Sequence, residues 1–244
     1  MAVQRALALD PALAEAHASM GRIDAYDYEW LASLQEYRTA LALKPAYATA
    51  HQWYGESLAV LGKLREAQAK LDTALELDPA SSIIKISRAS VLVSARDYEG
   101  ALAQYKKVRE VDPGFKPGQA GLAYAYVLQG KYAEALAELD KIPEITDIGL
   151  QSYRAWIYAL SGRRAESLEL VQGLEERFPR EYHSRVGLGR LWLALNDKDR
   201  AFAHFMKACE VREVGLSGVK VSPIFDAARA DPRFKDLLRC VHLE

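Results

Sequence analysis

The sequence predicts an all-α fold, an elongated array of stacked helix pairs. Three observations carry that prediction. Prolines recur 34 residues apart, at Pro11, Pro45, Pro79 and Pro113. Small and bulky residues recur in step with them. Half of the 244 residues are apolar while the formal net charge is only −1, which excludes a disordered or fibrous chain. A repeat of this length is one pair of helices, which buries its apolar face only by stacking on its neighbours.

With each proline placed at position 32 of its unit, position 8 holds Gly21, Gly55 and Ala89, and position 20 holds Ser33, Ala67 and Ala101. Position 24 holds Tyr37, Leu71 and Tyr105, and position 27 holds Ala6, Ala40, Ala74 and Val108. Small residues at a fixed place let two helices approach closely, and large ones fill the remaining space. The first helix of each unit is expected over roughly positions 2 to 14 and the second over roughly 18 to 30. Gly62, Gly130 and Gly162 fall between them, where a helix C-terminus adopts positive φ. The Asp-Pro steps at 78–79 and 112–113 end second helices, because the residue before proline avoids the helical region.

Taken in order, residues 1–13 read as a second helix without its first, and the chain reads as cut from a longer one. Six helix pairs are expected over 14–215. The fourth carries Leu122, Ala123, Tyr126, Gly130, Tyr132, Ala135 and Leu139 but has Asp147 in the proline slot. The fifth, displaced by two residues, carries Ala155, Tyr158, Gly162, Ser167 and Val171 and recovers Pro179. The sixth carries Leu188, Gly189, Trp192, Ala201, Phe205 and Ala208. From Gly215 to Gly218 a loop is expected. Ser222-Pro223 and Asp231-Pro232 then start two short helices, about 223–229 and 232–241. These form a C-terminal cap over 216–242, with Phe225, Phe234, Leu237 and Leu238 covering the sixth pair. Leu243 and Glu244 read as a vector remnant. Cys209 and Cys240 are expected to be reduced thiols packed among helices. A disulfide between them requires the last helix to fold back on the sixth pair.

The order of a bulky residue, Leu-Gly, Tyr, Ala, Phe and Pro over 34 residues resembles the tetratricopeptide repeat family. The resemblance spans nearly the whole chain and implies a right-handed superhelix whose concave face binds a protein or peptide. The tail is more specific. Phe225 and Asp226, followed by Arg229, Asp231, Pro232, Arg233, Phe234, Leu237, Leu238 and Arg239, are similar to the end of a bacterial subfamily. In that subfamily a repeat array forms the C-terminal part of winged-helix regulators, serine/threonine kinases and class III adenylate cyclases. The run from Tyr26 to Trp30, the run from Tyr47 to Tyr54, and the segments 162–166 and 197–201 fit the same group. The resemblance implies a sensory or partner-binding region; neither a winged-helix segment nor a kinase glycine loop is in the sequence.

Helical periodicity assigns positions 2, 5, 6, 9, 12 and 13 of each first helix to the face away from its own second helix. In the implied superhelix this face lines the groove. It offers Glu15, Arg22 and Tyr26, then Gln52, Trp53 and Glu56, then Ile83, Ile86, Ser87 and Ser90. Further along come Tyr124, Tyr153, Trp156, His183 and Arg190. Accessible Trp and Tyr rings in a groove offer much contact area for little lost entropy. The alternative is that the rings pack between neighbouring first helices. A carboxylate clamp of Lys, Asn and Arg, known in some family grooves, has no Lys or Asn on this face. In the third repeat Lys85 and Arg88 take packing positions 4 and 7. Either that helix rotates to bury Ile83, Ile84 and Ile86, or the groove carries an apolar patch.

Catalytic motifs are absent: no phosphate loop, nucleophile elbow or dinucleotide fingerprint occurs. His17 and His51 lie one repeat apart, roughly 10 Å by helix-packing distances, too far to share a metal ion. No cofactor and no metal site is predicted. A nucleic-acid partner would need a basic groove, whereas this one has two arginines against two glutamates. No apolar run is long enough for a membrane span. The sequence therefore predicts a non-catalytic scaffold for a protein or peptide segment, cytoplasmic, or periplasmic if a membrane anchor precedes it. The alternative is a homodimer-forming module for attached effector domains.

Overall fold

The computed structural model describes residues 2–142, 148–177 and 184–244, without the side chains of Ile148 and Arg177. Asp147, Pro179 and His183 lie outside them. Among the described residues a single helix, α1 (Ala2–Leu9), precedes six helix pairs. These are α2 (Ala14–Tyr26) with α3 (Trp30–Leu43), α4 (Ala48–Val60) with α5 (Leu64–Leu77), and α6 (Ser82–Ser94) with α7 (Tyr98–Val111). Then come α8 (Lys116–Leu128) with α9 (Tyr132–Leu139), α10 (Ile148–Leu160) with α11 (Arg164–Arg177), and α12 (Arg185–Ala194) with α13 (Lys198–Glu210). Among the described residues α2, α4, α6 and α8 each begin at position 1 of their unit, 34 residues apart, whereas the fifth pair is displaced by two residues. Second helices run over positions 17 to 30 in four repeats, and α9, whose repeat has no proline at position 32, is shorter.

Each hairpin turns on one residue at position 15. It is Gly62, Gly130 or Gly162 in three repeats, with φ between 72° and 82°. In the other three it is Tyr28, Arg96 or Asn196, with φ of 64°, 65° and 62°. Within pairs, the small residue at position 8 meets the large one at position 24. A Cβ on Gly21 would stand 2.9 Å from Tyr37 Cε1, and one on Gly55 2.9 Å from Leu71 Cγ. Tyr37, Leu71, Ala40, Ala67, Ala74, Ala101 and Val108 are all buried.

Position 4 ties neighbouring repeats together. His17 Nε2 lies 3.0 Å from the carbonyl oxygen of Pro11, and His51 Nε2 2.9 Å from that of Pro45. Lys85 Nζ donates to Pro79 at 2.6 Å and Gln119 Nε2 to Pro113 at 2.8 Å. This resolves the third repeat. Ile84 is buried, Ile83 is half exposed, and Lys85 and Arg88 keep the packing face. Lys85 reaches the proline carbonyl and Arg88 Nε reaches Asp72 Oδ1 at 2.7 Å, so neither buries an unpaired charge.

The tail departs from the expectation. The segments Val214–Lys220 and Pro223–Ala228 are 3₁₀ helices, and only α14 (Phe234–Cys240) is α-helical. Rather than covering the sixth pair alone, the tail crosses the concave face and reaches the first repeat. Trp30 Nε1 donates to the Val241 carbonyl at 2.7 Å, and Arg212 pairs with Asp27. One core accordingly unites Ala25, Tyr28 and Trp30 with the fourth to sixth repeats and with Leu216, Val219, Phe225, Phe234, Leu237 and Val241. Leu243 is buried in that core as well, so it takes part in the packing. The expectation of free thiols is overturned: Cys209 and Cys240 form a disulfide, with Cα atoms 6.4 Å apart, because α14 folds back against α13.

Candidate functional site

The concave face is built from the residues that periodicity selects, and the tail divides it. On one side lies a cavity of about 330 Å³ formed by α2, α4 and α6. Its walls include Ala25, Trp30, Ala59, Val60 and Val91 from the repeats, and Val214, Gly218 and Val221 from the tail. Of the predicted residues it brings together Arg22, Tyr26, Glu56, Ile86 and Ser90. Tyr26 is 43% exposed at its edge.

A polar ladder crosses one repeat to the next in this cavity. Arg22 Nη1 donates to Glu56 Oε2 at 2.6 Å, across one period of the sequence. Glu56 Oε1 accepts from Gln52 Nε2 at 2.9 Å and from Ser87 Oγ at 2.6 Å, and Gln52 Nε2 also donates to Ser87 Oγ. The Arg22 guanidinium lies 5.0 Å from the Tyr26 ring centre and 5.5 Å from that of Trp53. Burial works against its charge, but Glu56 and Tyr26 outweigh that and raise Arg22 above its ordinary value. The site is a partly apolar hollow with a fixed, neutralised ion pair, suited to holding a side chain with both apolar and hydrogen-bonding parts. Ile83 stands half exposed on the same helix as Ile86 but does not line the cavity.

On the other side of the tail the remaining predicted residues cluster. Tyr124, Tyr153 and Trp156 form a continuous aromatic group: Tyr153 meets Trp156 edge-on at 5.3 Å, and Tyr124 lies 6.0 Å from it. Arg190 stacks over both, its Cζ 4.1 Å from the Trp156 ring centre and 4.7 Å from that of Tyr153. Burial pushes the Tyr124 phenol up to about 12 and lowers the Arg190 guanidinium. The expectation of accessible groove rings is corrected at Trp156. Trp156 is 4% exposed, covered by neighbouring repeats and the tail, while Trp53 and Tyr124 are half-buried.

The sequence reading missed the residues that seat the tail. Tyr28 Oη donates to the Glu213 carbonyl at 3.4 Å. Arg96 donates to the Val221 carbonyl at 2.9 Å and to Asp226 Oδ1 at 2.8 Å. Both occupy position 15, where the backbone is left-handed and glycine is the unstrained choice. A large side chain retained there, at a conformational cost of about 1–2 kcal/mol, was the available signal.

Among the described residues no group of His, Cys, Asp and Glu could hold a metal ion, and no helix is long and apolar enough to cross a membrane. Two segments, 92–147 and 154–212, match the family description "Tetratricopeptide repeat". No curated protein matches. Among solved structures the chain is similar to a tetratricopeptide repeat protein from Parabacteroides merdae ATCC 43184, at 20% identity over 98% of this chain and 90% of that one, with a TM-score of 0.69. It is also similar to TTC0263, a thermophilic TPR protein of Thermus thermophilus, at 19% identity over 79% and 99%, with a TM-score of 0.62. A third is YrrB, described as a TPR protein with an unusual peptide-binding site, at 18% identity over 74% and 94%, with a TM-score of 0.51. From its 34-residue period, its helix pairs and these matches, the chain carries tetratricopeptide repeats and folds as a tetratricopeptide solenoid.

Proposed function

We propose that this protein is a non-catalytic scaffold that captures a protein or peptide segment in the cavity between its first three repeats and its tail. The tetratricopeptide fold is typically such a scaffold, and YrrB, of the same fold, has a peptide-binding site by its description. The observation that carries the reading is the hollow of about 330 Å³, in which apolar walls surround the Arg22–Glu56 pair. Tyr26, Ile86 and Ser90 line the cavity with that pair, Gln52 and Trp53 support the pair from beside it, and Ile83 extends the same face beyond the cavity. The partner is a neutral or amphipathic segment, because the Arg22–Glu56 pair already neutralises the floor of this cavity. We further propose that the chain is the sensory or partner-binding part of a larger bacterial signalling protein. The tail motif from Phe225 to Arg239, which resembles the end of that subfamily, supports this.

Selection from a random peptide library displayed on phage tests the binding. Enriched peptides should bind the wild-type chain and lose affinity for Ser94→Trp, which fills the cavity. Ser94 Oγ bonds only to a carbonyl of its own helix, so its replacement leaves the packing between helices intact. If no peptide is enriched, or if enriched peptides bind Ser94→Trp equally well, the reading fails. A change in solution mass with concentration would favour the dimer-forming alternative.

A further inference from the structure

Position 9 of the repeat holds an arginine at both ends of the array, and the two are treated differently. Arg22 has its counterion, Glu56, at the same position of the next repeat. Arg190 has none. Its guanidinium makes no ion pair and no hydrogen bond among the described residues, and its Nε is sealed from solvent without a partner. What it has are two ring faces, Trp156 and Tyr153, which hold the plane of the fork in place. The Tyr153 hydroxyl is a second buried polar atom without a partner.

A charge held in a poorly solvated place with no counterion is costly, and stacking on rings offsets only part of that cost. Arg190 is not closed off entirely. It lines a second cavity, of about 350 Å³, between the ends of the repeats' first helices and the tail at Pro223 and Ile224. Most of the wall is apolar: Val127, Leu128, Leu160 and Leu193 come from the repeats. Asp226 also borders the cavity, but its Oδ1 is taken by Arg96 and Arg229, at 2.8 and 2.9 Å. The cavity thus presents one oriented, uncompensated cation in an apolar chamber.

We propose that this second cavity binds a carboxylate attached to an apolar body, with Arg190 as the anion-binding residue and Trp156 and Tyr153 as the rings that orient it. A planar guanidinium matches a carboxylate with two parallel hydrogen bonds. One cation balances one negative charge, so a singly charged carboxylate fits better than a phosphate dianion, which would need further donors. The apolar wall selects an aliphatic or aromatic substituent. Such a group comes from a free small organic acid or from the C-terminal residue of a partner chain. The free-acid source is independent of the function proposed above; the C-terminal source is a second anchor for the same partner.

The test is titration calorimetry on the whole chain with four probes: 4-methylpentanoate, its amide, and a peptide ending in leucine as either free acid or amide. Saturable binding of 4-methylpentanoate but not of its amide assigns a free acid. Binding of the peptide acid but not the peptide amide, with 4-methylpentanoate silent, assigns a chain terminus. In either case Arg190→Met should weaken binding by about tenfold or more, and should melt no lower than wild type, because it removes an uncompensated charge. Ser94→Trp should leave 4-methylpentanoate binding unchanged, which separates this site from the first cavity. If acid and amide bind alike, or neither acid binds, the proposal is overturned. It is equally overturned if a folded Arg190→Met binds as wild type does. The acid–amide comparison stands even where that variant does not fold.

Discussion

His17 and His51 occupy the same repeat position and make the same bond to a proline carbonyl, yet their surroundings reverse their titration. His17 Nδ1 faces Glu36 Oε2 at 2.6 Å; burial lowers its pKa, but the hydrogen bonds to Glu36 and to the Pro11 carbonyl, with the charge of Glu36, outweigh this and raise it above 6.5. His51 Nδ1 is buried without a partner; burial, aided by Lys70, lowers its pKa below 6.5. The two should therefore couple to folding with opposite signs. The stabilisation from His17 is fully present below pH 6.5 and is lost as pH rises through its raised folded pKa. His51 stays neutral to lower pH in the folded state than in the unfolded one, so its contribution is present above pH 6.5 and fades as pH falls below. Glutamine is the right replacement, since Gln119 makes the same proline bond in the fourth repeat. Urea unfolding of His17→Gln and His51→Gln across pH 5 to 8, the histidine titration range, is the measurement. Wild type should exceed His17→Gln most at the acid end and exceed His51→Gln most at the alkaline end; two differences that change with pH in the same direction would refute the assignment.

The helix pair is the element on which sequence and structure agree most closely, and its glycine explains why. A Cβ on Gly55 would stand 3.1 Å from the carbonyl oxygen of Ala67, part of the facing helix's own backbone, and cannot push it aside without moving the helix. Gly55→Leu should therefore lower stability by about 1–3 kcal/mol through overpacking, seen as a lower denaturant midpoint; an unchanged midpoint would mean the two helices are not in contact there. Such contacts recur every period between residues about 16 apart, so the spacing of small and large residues carries them legibly. Position 15 was only half legible. Glycine announces the left-handed turn at Gly62, Gly130 and Gly162, whereas at Tyr28 and Arg96 the same backbone is imposed on a side chain that has a distant task. The tail was legible as a capping segment but not in its course, because Trp30 and Val241 are 211 residues apart and no period links them. The groove residues were legible as a face; which of them stay open depended on that course. This is why Trp156, chosen as an accessible ring, is buried, while Tyr26 lies open beside the first cavity.

At the scale of the whole molecule, the tail turns an open array into one in which the first repeat and the sixth share a core. Two kinds of interaction hold it, and their magnitudes differ. The disulfide closes a segment with a sequence separation of 31, and bridges of this kind contribute about 2–4 kcal/mol. Leu216, Val219, Phe225, Leu237 and Val241 are fully buried beneath or within the tail, and each such side chain contributes about 1.5–3 kcal/mol. Burial therefore dominates, and the bridge adds to a tail already seated. The double variant Cys209→Ser with Cys240→Ser should lose about 2–4 kcal/mol of stability yet keep the tryptophan emission of the native chain. Deleting 220–244 should do what breaking the bridge does not. It removes the carbonyl that Trp30 bonds and the Pro223–Ala227 wall over Trp156, so emission should shift to the red and the chain should bind an apolar dye. If the truncated chain is as stable as the parent with unshifted emission, the tail is not part of the shared core. If the serine variant alone shifts the emission as far as the deletion does, the bridge and not the apolar burial holds the tail, and the ranking of the two terms is reversed.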